Sequence, residues 1–424
     1  MQAEPTLRTL RIFEAVAQLG SIHKAAQAVR ISQPAVTLAI KNLEPWSGVS
    51  LFVRSTSGTR LTDPGNILLA RVGQLFSQIE SALAELDGDL PRSSLPSVAG
   101  RISRPHLAVL SAIAEERPVS GAAQRIGVSK STFLRSLREL ERTIGASLVV
   151  FTANGFTITS KGETFARRVI LALREIDWAV EEINLHSGRL GGQLRVGVRP
   201  LAGNFLLAPV INDLKKLFPA AFIQIRSGDG NHLTRSLLTG EVDFVVGMIG
   251  TPGDEKELTQ EPLVSSPYVV VARKGHPLVE KARITEADLA AFEWIAPLAG
   301  ATRRTAFDGL FCHVHRASGA DIETYSLSTI RLLLMGSDRL TLMTRFEFEF
   351  ECGRDEASLI CLSYGPIEPV HTVGITRRIK GMPTPLQTKF LALMRQHART
   401  LHGSVDAGEI SRVGRNATGS STCS

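Results

Sequence analysis

Gln33, Ala35 and Thr37 open a stretch, Ser32-Gln33-Pro34-Ala35-Val36-Thr37-Leu38-Ala39-Ile40-Lys41, whose side chains suit the reading of a base pair. A glutamine amide can pair with the exposed edge of adenine through two hydrogen bonds, and an alanine or threonine methyl can rest on the thymine methyl. Ser32 and Lys41 offer a hydroxyl and an ammonium to phosphate oxygens, and Arg54 offers a guanidinium. An ordinary alanine-rich helical hairpin shows the same residue types, so the neighbouring elements have to decide.

Those elements are local and regular. Ser21 can cap a helix whose buried face holds Ala25, Ala26 and Val29. Ser32 can cap the next, with Pro34 in its first turn and Val36, Ile40 and Leu43 facing inward. Leu7, Leu10, Ile12, Phe13, Val16 and Ala17 predict a helix beneath that hairpin. Leu51 to Arg54 and Arg60 to Thr62 predict a β-hairpin wing, with Arg54 and Arg60 placed either for phosphates or as solvated surface charges. A long helix follows from Thr62-Asp63-Pro64. Its apolar residues Leu68, Val72, Leu75, Ile79, Ala82 and Leu86 form a heptad seam, suited to pairing with another helix or to packing on its own head. Asp87 to Gly100 is rich in Pro, Ser and Gly and predicts a linker.

A shift of 97 positions carries residues 7–86 onto 104–183 without a gap. Ala25-Ala26-Gln27 meets Ala122-Ala123-Gln124, and Leu43-Glu44 meets Leu140-Glu141. Gly48, Thr62 and Gly65 meet Gly145, Thr159 and Gly162. The seam returns as Phe165, Val169, Ala172, Ile176, Ala179 and Ile183, and Ser160 with Glu163 predicts a capping box for the second long helix. The copies differ at the reading turn. The second reads Ser129-Lys130-Ser131-Thr132-Phe133, without Gln or Pro, and Phe151 takes the place of Arg54. Lys130, Thr132 and Arg135 leave two readings open: a phosphate-gripping head, or a degenerate copy kept for pairing with the first.

From Gly191 the pattern becomes α/β. Strands are predicted at Gln193–Val198, Ala221–Arg226 and Val242–Gly247, and helices at Phe205–Phe218 and Asn231–Leu238, which implies a parallel sheet covered by helices. Tyr268–Ala272 crosses into a second lobe over about 280–368, His371–Thr376 crosses back, and Thr384–His397 closes the domain. A ligand would sit between the lobes at the strands' C-terminal ends. That nominates Arg199, Pro200, Leu201, Gly228, Asp229, Met248 and Ile249, and Thr302 and Arg303 in the second lobe. Either arginine could pair a carboxylate in a two-pronged contact or stand as a surface charge.

Bulk properties set limits. The net charge of +7 is compatible with nucleic acid without demanding it. Four cysteines without CxxC spacing point to a reducing compartment. There is no charged-then-apolar leader and no apolar run long enough for a membrane span, so the expected location is cytoplasmic, with no membrane partner. Cys312-His313-Val314-His315 has no second half for a metal, no cofactor is indicated, and without a GxSxG motif no enzyme is indicated either.

The first ninety residues resemble the LysR-type transcriptional regulators. The resemblance is carried by Phe13, Ala15-Val16-Ala17, Gly20-Ser21, Ala25-Ala26, Ser32 to Thr37, Ile40, Leu43-Glu44, Gly48, Leu51-Phe52, Arg54, Leu61-Thr62 and Gly65. Residues 191–397 resemble that family's periplasmic-binding-protein-like effector domain. The matching stretches include Gly192 to Gly197, Leu207-Ala208-Pro209, Phe218-Pro219, Gly240 to Asp243 and Gly275 to Leu278. Thr372 to Thr376 with Pro383 to Gln387 looks like the subgroup that includes sugar-responsive regulators. Two features depart from the family. This chain has two heads in tandem where one is usual, and Pro45-Trp46 predicts an early end to the reading helix.

The expected architecture is α + α/β: two tandem winged helix-turn-helix domains, each followed by a long linker helix, then a two-lobed effector domain. The boundaries are 5–65, 66–90, 101–162, 163–188 and 191–400, with a disordered tail at 402–424. The expected function is sequence-specific transcriptional regulation controlled by a small-molecule co-inducer. The expected partners are double-stranded DNA, the effector, RNA polymerase, and either a second copy or, as an intramolecular pseudo-dimer, the chain's own second head. The alternative is a ligand-binding sensor whose heads mediate protein–protein contact. A solute-binding or enzymatic α/β protein with accessory heads is a further alternative.

Overall fold

The structure is a computed structural model that describes all residues except 1–3, 56–57, 87–89, 116–121, 153–154, 200–202, 250–256, 315–321, 353–357, 366, 368–369 and 417–424. The chain divides into two compact units, residues 1–192 with 238–241, and 193–237 with 242–424.

The first unit opens with α1 (Leu7–Leu19), α2 (Ile22–Ala28) and α3 (Gln33–Ser47), an antiparallel wing of β1 (Phe52–Ser55) and β2 (Gly58–Leu61), and the long α4 (Asp63–Ala84). After a short α5 (Leu95–Arg101) come α6 (Arg104–Glu115), α7 (Ala122–Arg125), α8 (Lys130–Ile144), a wing of β3 (Val149–Thr152) and β4 (Gly155–Ile158), and α9 (Ser160–His186). Side-chain oxygens of Thr6, Ser21, Ser32, Thr62, Ser129 and Thr159 cap the helix starts, as short polar residues with extended backbone do. The second long helix is therefore capped by Thr159 accepting from Gly162 N–H, and not by a Ser160–Glu163 box.

Two further expectations are corrected. Pro45 lies inside α3, which continues to Ser47 and ends on Gly48 in the left-handed region. The N–H that Pro45 lacks would have served the carbonyl of Lys41, an exposed residue whose carbonyl can turn to water. The predicted linker also contains a helix. Leu95, Val98 and Ala99 of α5 are buried in the core shared with α1 and α4. Their spacing is a one-turn apolar face that the surrounding Pro, Ser and Gly disguise.

The second unit runs β5 (Gln193–Val198), α10 (Asn204–Leu217), β6 (Phe222–Ser227), α11 (Gly230–Leu238), β7 (Phe244–Ile249), β8 (Leu258–Ser266), β9 (Tyr268–Arg273), α12 (Glu286–Ala290) and β10 (Trp294–Ala296). It continues through α13 (Thr302–Gly309), β11 (Ile322–Glu323), α14 (Leu327–Met335), β12 (Leu340–Thr344), α15 (Arg345–Glu347), β13 (Leu359–Cys361), β14 (His371–Arg378) and α16 (Pro385–Asn416). One sheet has the order β6-β5-β7-β14-β8, the other β11-β10-β12-β9-β13. β5, β6 and β7 are parallel, but β14 and β8 join antiparallel, so the first sheet is mixed and not purely parallel. The chain leaves the first sheet between β8 and β9 and returns at β14, which makes the two lobes. α16 extends to Asn416, so the backbone of 402–416 is helical where the composition predicts a disordered tail. No proline beyond Pro385 interrupts it.

Candidate functional site

In the first unit the reading turn is built by capping and burial together. Val36, Ile40 and Leu43 are buried beneath α3, which leaves Gln33, Pro34, Ala35 and Lys41 exposed on its outer side. Ser32 Oγ accepts from Ala35 N–H at 3.4 Å, so its oxygen serves the helix start while its exposed edge remains open to a phosphate. Thr37 donates its hydroxyl proton to Gln33 C=O at 3.1 Å, which leaves its methyl and an oxygen lone pair for a partner. Arg54 stands opposite Thr59 in the wing register, and its side chain lies outside the described residues.

The 97-residue shift holds at the level of single hydrogen bonds. Glu44 Oε1 accepts from Leu51 N–H at 3.1 Å, and Glu141 Oε1 from Leu148 N–H at 2.7 Å. Thr62 N–H donates to Leu51 C=O, and Thr159 N–H to Leu148 C=O, each at 3.0 Å. A Cβ on Gly65 would lie 2.2 Å from Leu51 O, and one on Gly162 2.3 Å from Leu148 O. At the turn between the two short helices Arg30 (φ 55°) corresponds to Gly127 (φ 68°). On α8, Lys130 and Arg135 are exposed, while the Thr132 hydroxyl is 2.9 Å from the capping Ser129 hydroxyl.

α4 and α9 pack against each other antiparallel, and a polar line runs through their apolar seam. Arg71 Nη1 donates to Glu175 Oε2 at 2.8 Å and Arg71 Nη2 to Glu182 Oε1 at 2.5 Å. Gln78 Nε2 reaches Glu175 Oε1 at 2.9 Å, and Arg168 meets Glu85 at 2.5 Å. Arg71 and Glu175 are fully buried. Burial works against the Arg71 charge, but hydrogen bonds to Glu182 and Glu175 outweigh it and raise its pKa above the ordinary arginine value. Sequence reasoning missed this line. The available signal was the seven-residue spacing of Arg71, Gln78 and Glu85, repeated as Arg168, Glu175 and Glu182 beside each seam.

In the second unit a cavity of about 640 Å³ opens between the lobes, at the C-terminal ends of β5, β6 and β7. Arg199, Gly228, Asp229 and Met248 line it, as the parallel-strand topology predicts. Arg199 is laid over two glycines. A Cβ at Gly247 would come within 2.7 Å of its Cβ, and one at Gly230 within 3.3 Å of its guanidinium. Ile249 does not line the cavity, because strand alternation turns it away from Met248's side, and its backbone pairs with Thr372. Pro200 and Leu201 lie outside the described residues, as does the side chain of Thr302 in the first turn of α13.

Arg303 lines the cavity but is already committed. Its Nη2 bridges both oxygens of Glu347 at 2.6 and 2.7 Å, and Nη1 donates to Leu342 C=O at 3.0 Å. With both side chains almost completely buried, Arg303 is not the surface charge that one reading allowed, and its guanidinium is engaged by Glu347 beside the cavity. The same lobe as Arg303 also brings Thr324, Tyr325 and Thr341 to the cavity, which the sequence did not nominate. Behind Met248, Tyr268 O–H lies 3.4 Å from its Sδ and 3.2 Å from His371 Nδ1, and burial pushes the phenol up to about 12. Among the described residues no helix is long and apolar enough to cross a membrane.

Residues 187–399 match the family described as LysR substrate binding domain. Residues 7–66 and again 105–163 match the one described as bacterial regulatory helix-turn-helix protein, lysR family. The HTH-type transcriptional regulator GalR of Pseudomonas putida is 30% identical over 404 residues, covering 92% of this chain and 97% of its own. The DNA-binding transcriptional dual regulator OxyR of Escherichia coli is 25% identical over 304 residues, 71% of this chain and 96% of its own. Among solved structures, full-length OxyR from Pseudomonas aeruginosa superposes with a TM-score of 0.49 at 20% identity, over 70% of this chain and 94% of that one. Full-length CbnR complexed with its target DNA gives 0.40 at 16% identity, over 69% and 98%. A substrate-binding match over half the chain and a relative of 30% identity along nearly all of it establish that this chain belongs to the LysR family of transcriptional regulators.

Proposed function

We propose that this LysR-family regulator is a cytoplasmic, ligand-controlled DNA binder that carries two winged helix-turn-helix heads in one polypeptide. α4 and α9 serve as their linker helices and pair within the chain as a pseudo-dimer. In the first head Gln33, Ala35 and Thr37 read base edges, and Ser32, Lys41 and Arg54 hold phosphates. In the second, Lys130, Thr132 and Arg135 grip the backbone. The observation that carries the reading is the reading turn itself: a capped helix start with Gln33 and Ala35 exposed above the buried Val36, Ile40 and Leu43.

Arg199 and Asp229 from one lobe, with Thr324 and Tyr325 from the other, suit a small polar effector with an anionic group. Bound between the lobes, it would favour one lobe arrangement over another and so bias how the heads meet DNA and RNA polymerase.

Gel-shift titration of the full-length protein on the region upstream of its own gene and on neighbouring promoters tests the reading. The expected result is sequence-specific binding that weakens steeply with salt and shifts with the effector. Absence of any such binding favours a sensor whose heads contact proteins.

A further inference from the structure

The two heads carry different chemistry on one framework. In the first, the exposed turn of α3 is uncharged, and arginines stand at positions 54 and 60 of the wing. In the second, Lys130 and Arg135 on α8 take the places of Gln33 and Leu38, Arg138 matches Lys41, and the wing positions matching Arg54 and Arg60 are Phe151 and Thr157. No residue of β3 or β4 carries a charge.

The seam between α4 and α9 joins unlike partners. Under the 97-residue shift Arg71 corresponds to Arg168, Gln78 to Glu175 and Glu85 to Glu182. The pairs Arg71–Glu182 and Arg168–Glu85 are thus two copies of one contact, related by a local two-fold axis, and Gln78–Glu175 sits on that axis. A seam made of two α9 helices would set Glu175 against another Glu175 at a fully buried position, where like charges repel strongly. Pairing Gln78 with Glu175 replaces that clash with a hydrogen bond, so the seam favours one head of each kind.

From these two observations we infer that each chain recognises an asymmetric stretch of duplex DNA. Resting on the two-headed DNA reading above, the inference gives the site two unlike halves in inverted orientation. One half is defined by its bases and contains an A·T pair addressed by Gln33. The other is held through its phosphates by Lys130 and Arg135 and tolerates sequence change. Such a site has a direction, so the bound chain has one orientation along the DNA.

The test is selection from a random duplex library with the full-length protein, followed by hydroxyl-radical footprinting, with stoichiometry read by mass photometry. The expected motif has, for each chain bound, one information-rich half beside a protected but sequence-tolerant half. Gln33→Ala should lower discrimination in the rich half roughly ten- to hundred-fold and leave the other half unchanged. A Lys130→Ala/Arg135→Ala double variant should weaken binding to all sequences alike and reduce the log–log salt slope by about 2. Both changes are at exposed positions, so the fold survives them. The inference is overturned if each chain protects a single half-site. It is also overturned if a palindrome is selected and the double variant binds it like the unmodified protein. Complete absence of sequence-specific binding instead removes the DNA reading itself.

Discussion

The first head, over residues 7–66, and the second, over 105–163, are built with the same bonds and finished with different surfaces. Glu44 and Glu141 tie the same backbone N–H, Thr62 and Thr159 cap the same helix start, and Gly48 and Gly145 close the same helix in the left-handed region. Several outward positions diverge in charge and hydrogen-bonding type: Gln33 against Lys130, Arg54 against Phe151, Arg60 against Thr157. The contrast separates what a head needs in order to fold from what it needs in order to read. Buried polar bonds and close backbone approaches leave few alternatives, because losing one partner leaves an unsatisfied group. Exposed groups in the first turn of a helix cost the fold little when exchanged.

The largest departure from equivalence should come from the seam. Arg71 is fully buried between two glutamates, whereas Arg168, its counterpart, is partly exposed and meets a Glu85 that is 58% exposed. Arg71→Ala leaves Glu175 in the interior without its main counter-charge and should cost about 3–5 kcal/mol in urea unfolding. Arg168→Ala should cost about 0–1 kcal/mol, as a surface pair does. Equal losses at both positions would mean that the seam treats its two ends alike, and the argument for unlike partners would fail.

The shared framework gives the next effect. At Gly65 and Gly162 a methyl group would collide with a backbone carbonyl that cannot swing aside, since it already accepts from Thr62 or Thr159. Gly65→Ala and Gly162→Ala should each cost about 1–3 kcal/mol, and by similar amounts. If Gly162→Ala were tolerated while Gly65→Ala was not, the second head would be a loosened copy. Thermal unfolding of the two single variants, compared with the unmodified protein, makes the distinction.

Much of this was legible in the sequence, and for identifiable reasons. Val36, Ile40 and Leu43, the caps at Ser32 and Thr62, and the two seams follow from spacing within a few residues of each other. Arg199, Gly228, Asp229 and Met248 could be placed beside the cavity because a crevice forms where parallel strands end. What could not be read depends on partners distant in sequence. Arg71 and Glu175 look like solvated charges until two helices are laid side by side. Arg303 looks like a free guanidinium until Glu347 arrives from another element. α5 and β8 were hidden by composition, since Pro96 and Gly100 in one, and Pro262 in the other, argue against regular structure that tertiary packing imposes.

The smallest expected difference lies at the turn before the reading helix. Arg30 adopts φ 55°, a region that costs a side-chain-bearing residue about 1–2 kcal/mol, while Gly127 takes φ 68° at the matching position without that cost. Both residues make the same turn, donating N–H to Gln27 C=O and Gln124 C=O respectively. Arg30→Gly should therefore stabilise the protein by at most about 1 kcal/mol, since glycine's greater freedom in the unfolded chain offsets part of the relief. Strain that persists at an exposed residue next to α3, here Arg30, raises the question of a use for the side chain. Urea unfolding and DNA titration of the same variant decide what that use is. Gained stability with a salt slope reduced by about 1 makes Arg30 a phosphate contact that the second head lacks. Gained stability with an unchanged slope confines the difference between the heads to the reading helices and wings.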